Sequence, residues 1–235
     1  MTNNEKENKI KTSEVGTVFI KKEAFRNMLS HVLRFGSDEI ESVEVMGVCL
    51  GKKDPNTKVL TVMNAIPITH GAEVSQGFSD KHYSLFSKIS EQHSKMGLKI
   101  IGWYISHPQW GVFFSDVSIK NHRYFQKETN PHAFCIVFDY SLMSAEDDLG
   151  FEVYRLADHT DLLSQEYVKV ASEVEVPNTL EYFKWVQKFV EDTQKKNPVI
   201  IKEIEELIEP KMEDLQEIPG SKESSADANK GEFMF

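Results

Sequence analysis

The sequence predicts an α/β fold in which buried strands alternate with amphipathic helices. Three observations point there. The run Leu98–Ile105, rich in Ile, Trp and Tyr, has the length and composition of a buried strand, and Pro108 stops strand pairing just beyond it. A loop with Gly111 follows, and Ser115 then stands in N-cap position for a helix reaching about Glu128. Upstream, Phe25, Met28, Leu29 and Val32 recur at i, i+3, i+4 and i+7, the single apolar face of a helix over Lys22–Phe35. The chain has 235 residues, 40% of them hydrophobic, enough for one packed domain with an appendage.

Taken in order, residues 1–15 are polar and charged and are expected to be disordered. Val18-Phe19-Ile20 predicts a first strand over Thr17–Ile20. The Lys22–Phe35 helix carries His31, expected at its surface or boundary, and Gly36 suits the residue just past a helix end. Val43–Leu50 reads as a strand containing Glu44. Lys52–Asn56 makes a hairpin turn, and Lys58–Thr69 returns as a strand broken near Pro67. A loop covers His70–Ser79. Ser79 or Asp80 caps a helix to Met96, with Tyr83, Phe86 and Ile89 as its core stripe and Gly97 as its end. Ala133–Asp139 is a buried strand whose Asp139 reads as turn-forming. A loop over Tyr140–Gly150 leads to a strand Phe151–Leu156, and a further strand is expected over Gln165–Val176.

Two more helices are expected beyond this core. Pro177-Asn178-Thr179 opens one, with Tyr182, Phe183, Val186, Phe189 and Val190 on one face. Asn197 caps the other, with Pro198 at its first position and Ile201, Ile204, Leu207 and Ile208 along one side. Such apolar faces need a cover, either their own domain or a partner. From Glu213 the chain turns polar, as a disordered tail does, and Gly231–Phe235 at its end suits a short docking motif.

The stretch Gly102-Trp103-Tyr104-Ile105-Ser106-His107-Pro108, with Ser115 downstream and Glu44-Val45-Met46-Gly47 upstream, closely resembles the signature of the JAB/MPN (JAMM) metalloprotease family. That pattern is an upstream Glu, then His-x-His-Pro, then Ser-x-x-Asp. In active members two His and the Asp hold zinc, the Glu activates the zinc-bound water, and the Ser stabilises the oxyanion. The chemistry needs three protein ligands and an open fourth position. The resemblance implies an MPN (cytidine-deaminase-like) fold, a curved mixed β-sheet flanked by helices, over residues 16–176. Residues 177–212 then form a C-terminal helical segment and 213–235 a tail. It assigns Glu44 to the general base, His107 to the second zinc histidine and Ser115 to the oxyanion stabiliser. It also places Ile105 where the first zinc histidine belongs and Ser118 where the zinc aspartate belongs, so two of the three protein ligands are missing. A complete four-ligand zinc site contributes roughly 10–16 kcal/mol. One imidazole keeping about a quarter of that gives millimolar binding at best.

Asp116 lies two residues before Ser118, a rotation of about 200° on a helix, and suits the acidic first turn. His122 lies one turn beyond Ser118 and could approach the site. His70, Glu73 and Asp139 are further donors in nearby segments. The expected function is a non-catalytic MPN protein acting as scaffold or partner subunit, with no cofactor. The alternative is a zinc-dependent JAMM isopeptidase or peptidase, deubiquitinase-like, using substitute ligands. The resemblance also implies a protein partner: another MPN protein reached through the C-terminal helices, or a ubiquitin-like protein.

Other classes fit poorly. The net charge is −10 and Lys and Arg form no stripe along the sequence, which argues against a nucleic-acid partner. No apolar run is long enough to span a bilayer, and MTNNEKENKIK lacks the apolar core of a secretory signal, so the cytoplasm is expected. Cys49 and Cys135 lie in separate apolar runs and read as buried reduced thiols.

Overall fold

The structure is a computed structural model, and it describes residues 12–36, 42–144, 149–175 and 184. The two helices expected after Pro177 and the tail lie outside the described residues. Seven strands form one mixed sheet: β1 (Thr12–Ile20), β2 (Val45–Lys53), β3 (Leu60–His70), β4 (Lys99–Ser106), β5 (Phe134–Phe138), β6 (Phe151–Leu156) and β7 (Tyr167–Val174). Their order is β1-β3-β2-β4-β5-β6-β7, and the curvature is carried to closure because β1 pairs in parallel with both β3 and β7. Four α-helices join them: α1 (Lys22–Gly36), the single turn α2 (Ala72–Ser75), α3 (Asp80–Ser94) and α4 (Asp116–Phe125).

The alternation of side chains along each strand divides the apolar residues between two cores. On one face Phe25, Met28, Leu29 and Val32 of α1 pack against residues of all seven strands, among them Val45, Cys49, Tyr104 and Phe138. On the other face Leu85, Phe86 and Ile89 of α3 and Ile119 and Phe125 of α4 cover Met46, Val48, Leu50, Trp103, Ile105, Cys135 and Val137. Each fully buried large side chain contributes about 1.5–3 kcal/mol, so this sheet is stabilised from both faces. Both cysteines are buried free thiols.

Several boundaries differ from the sequence reading. β1 begins at Thr12, so residues 12–15 belong to the sheet, where β7 supplies a parallel partner that sequence alone does not show. β3 is not broken at Pro67: its pairing with β2 shifts register between Met46 and Gly47, which accommodates a residue without an amide proton. His31 is buried rather than peripheral, with Nδ1 2.8 Å from the Tyr104 hydroxyl. β4 runs directly between β2 and β5, and Gly102 lets it do so. A Cβ there would stand 2.7 Å from the Phe134 ring and carbonyl oxygen.

Candidate functional site

The end of β4 organises the site. Trp103, Ile105 and His107 alternate onto the face covered by α4, and Met46 and Val48 of β2 share that face. Glu44 precedes β2 by one residue instead of lying within it, and its carbonyl accepts from the Gly71 amide at 2.8 Å. The same alternation still brings its side chain to His107, with Oε1 4.0 Å from Nε2. That is beyond hydrogen-bond length, so the two groups make a loose contact and not a hydrogen-bonded pair. The two side chains are 13% and 2% exposed. Burial raises the Glu44 carboxyl above its ordinary value and lowers the His107 imidazole, the latter opposed by the Gly111 backbone and by Asp139. Both shifts favour the uncharged forms. Phe113 and Trp110 flank the imidazole, with ring centroids 4.7 and 6.3 Å away.

The loop after β4 is held by β5. The His107 amide donates to the Phe138 carbonyl at 2.7 Å, continuing the parallel ladder. Asp139, at the end of β5, is 1% exposed. Its Oδ1 accepts from the Gln109 amide, the Ser141 amide and the Ser141 hydroxyl, and its Oδ2 from the Gly111 amide at 2.6 Å. The loop turns through two left-handed residues, Gln109 at φ 62° and Gly111 at φ 90°. Asp139 is thus turn-forming, and its oxygens are occupied by those donors.

Ser115 caps α4: its Oγ accepts from the Ser118 amide at 3.1 Å and donates to the Ser118 hydroxyl at 2.9 Å. Ser118 is fully buried there. Ile105 is 3% exposed and packs in the core shared with Met46, Val137, Phe114 and Ile119.

The other donors go elsewhere. His122 does not approach the site. Its Nδ1 accepts from Trp103 Nε1 at 2.9 Å, so its Nε2 carries the proton and donates to Gln126 Oε1 at 2.9 Å. Gln126 is fixed in turn by the Leu156 amide and carbonyl. Burial depresses His122 to about 3. His70 ends β3 and stacks on Phe35 of α1, centroids 4.0 Å apart, on the opposite face of the sheet from His107. Asp116 occupies the first turn of α4. Among the described residues no group of three His, Cys, Asp or Glu side chains is placed to hold a metal ion. One imidazole with one carboxylate is fewer than the three protein ligands that a catalytic zinc site takes.

The Trp103–His122–Gln126 chain is not legible in the sequence, whereas the turn-forming role of Asp139 is. Asp139 carried a signal, a lone acid at the end of an apolar strand. Gln126 carried none, because its partner Leu156 lies 30 residues away.

A mixed sheet with this strand order, an end-of-strand His-Pro and a serine-capped helix defines a domain of the MPN type. The model of the family described as JAB1/Mov34/MPN/PAD-1 ubiquitin protease matches residues 13–131, half of the chain, and the chain belongs to that family. COP9 signalosome complex subunit 5 of Caenorhabditis elegans is 28% identical over 135 residues, covering 56% of this chain and 35% of that protein. The 26S proteasome regulatory subunit RPN11 of Candida glabrata is 27% identical over 160 residues, 68% of this chain and 49% of that protein. The ubiquitin carboxyl-terminal hydrolase RPN11 of Saccharomyces cerevisiae is 27% identical over 150 residues, 63% and 46% of the two chains. The chain therefore spans between a third and a half of the length of these relatives.

Proposed function

We propose that this chain is a non-catalytic MPN-domain protein that serves as a scaffold or partner subunit in a protein assembly. One observation carries the reading: Ile105, where the first zinc histidine of the family pattern belongs, is built into apolar packing between β2, β5 and α4. Removing a buried ionic cluster and filling its place with hydrocarbon is neutral or stabilising, so the fold is maintained without the metal. Ser118 supports it, since its hydroxyl is engaged with the helix cap. Two of the relatives are named as subunits of the COP9 signalosome and the 26S proteasome, which supports a protein partner.

Zinc per chain tests the reading, measured by elemental analysis on protein purified without chelator, beside an Ile105→His/Ser118→Asp variant with its fold checked by circular dichroism. Wild type is expected to hold far less than one equivalent, and the variant close to one. A stoichiometric zinc in wild type refutes the reading whatever the variant does.

A second reading, a zinc isopeptidase with substitute ligands, has one observation in its favour. Glu44 still faces His107, with a carboxyl raised by burial as a general base requires. It would require cleavage of a ubiquitin-like conjugate that Glu44→Gln abolishes.

A further inference from the structure

At the far end of β4 from His107, about 23 Å along the strand at some 3.3 Å per residue, lies a cleft of about 680 Å³. The ends of β2 and β4, Ser90 of α3, and the segment from Tyr124 to Asn130 enclose it, with Ile101 and Phe125 as its buried floor. Four lysines line it, Lys52, Lys53, Lys99 and Lys127, and no acidic residue does. In a chain where Asp and Glu number 37 and Lys and Arg 27, that is a local reversal of sign. None of the four is in an ion pair with a carboxylate among the described residues. Burial, then Lys58 and Arg155 outside the cleft, hold Lys53 below the ordinary lysine value.

Lys127 has another explanation. It follows the C-terminal end of α4, which favours a cation, and its Nζ lies 4.5 Å from the Tyr124 ring centroid. Lys52, Lys53 and Lys99 stand on strands and have no such role. Like charges lining a concave site are unfavourable unless a counter-charge enters. The size lies within the range of small-ligand sites, about 300–1,000 Å³. Ammonium groups act on phosphate as point charges, and Ser90, Thr129 and Asn130 add neutral donors to the lining. The Tyr124 ring already contacts both Lys127 and Tyr83, at 4.5 and 4.7 Å from its centroid.

We propose that this lysine-lined cleft is a binding site for a compact oligophosphate, separate from the Glu44–His107 site. It does not depend on whether the chain is catalytic.

The test is calorimetric titration of the full chain with inorganic tripolyphosphate at about 0.15 M salt, where diffuse surface attraction is largely screened. Saturable binding near one equivalent is expected, weakened about tenfold or more by Lys52→Gln/Lys99→Gln, a loss of some 1.4 kcal/mol. Lys81→Gln/Lys88→Gln, two exposed lysines of α3, should leave it unchanged. All four substituted lysines are exposed, so neither pair threatens the fold. The proposal is overturned if no saturation occurs by about 1 mM, or if both pairs weaken binding equally. It is also overturned if a glutamate-rich peptide or single-stranded RNA of equal charge competes more tightly than tripolyphosphate, which would make the cleft a macromolecular site.

Discussion

Lowering the pH from 7.5 to 5.0 should cost this protein about 4 kcal/mol of folding stability through two buried histidines. His31 and His122 are 2% and 0% exposed, and both are depressed from 6.5 to about 3. Burial is the largest cause in each; His70 and Arg34 add to it at His31, and Arg155 at His122. Unfolding returns each ring to water and to its ordinary value, so the unfolded chain binds protons that the folded chain refuses. Stability is therefore complete above about pH 6.5 and falls as pH drops toward 3. pH 5.0 lies about 1.5 units below the unfolded value of each ring and above its folded value, a loss of about 2 kcal/mol per ring at 1.36 kcal/mol per unit. Against a typical total of roughly 5–15 kcal/mol the change is large. His107 and His132, also lowered mainly by burial, act in the same direction. Asp54, Asp158 and Glu175 are depressed carboxyls whose contributions are lost only nearer pH 4, and Glu44, raised by burial, opposes the histidines by taking up its proton earlier in the folded chain than in the unfolded one. Urea unfolding at pH 7.5 and 5.0 measures the loss, and NMR titration of the imidazole resonances identifies the rings. Equal stability at the two pH values, or a His122 resonance titrating near 6, would refute the reasoning.

Asp139→Ala removes the acceptor for four donors from one loop and one turn. It should lower unfolding free energy by about 3 kcal/mol, with faster proteolysis between Gln109 and Gly111; a loss under about 1 kcal/mol would show that water replaces the carboxylate without penalty. Gly102→Ala forces a methyl against Phe134 at 2.7 Å and should destabilise by about 2 kcal/mol, read from urea midpoints. Glu44→Gln should raise the thermal midpoint at pH 7, because burial disfavours the carboxylate and the neighbouring imidazole is itself held toward neutrality. A lowered midpoint would mean that His107 is charged and pairs with it.

Most of the long elements are legible in the sequence, although the short α2 falls in a segment that reads as a loop. α1 followed from the spacing of Phe25, Met28, Leu29 and Val32, and β4 and α4 from an apolar run, a Pro and a capping serine, because periodicity and capping are local properties. The order Ile105, His107, Ser115 and Ser118 is likewise a fact of the chain. Where each donor points was beyond it. His122 and Ser118 share a helix face, yet one lies in a chain from Trp103 to Gln126 and the other in the cap. Likewise His70 looks like a neighbour of Glu44 on paper and lies across the sheet from His107, stacked on Phe35. The lysine cleft is the clearest case. Residues 52, 53, 99 and 127 form no stripe in the sequence, and they converge because β2 pairs with β4 while α4 ends over the same strand ends. Such convergence depends on long-range pairing, and only the folded sheet decides it.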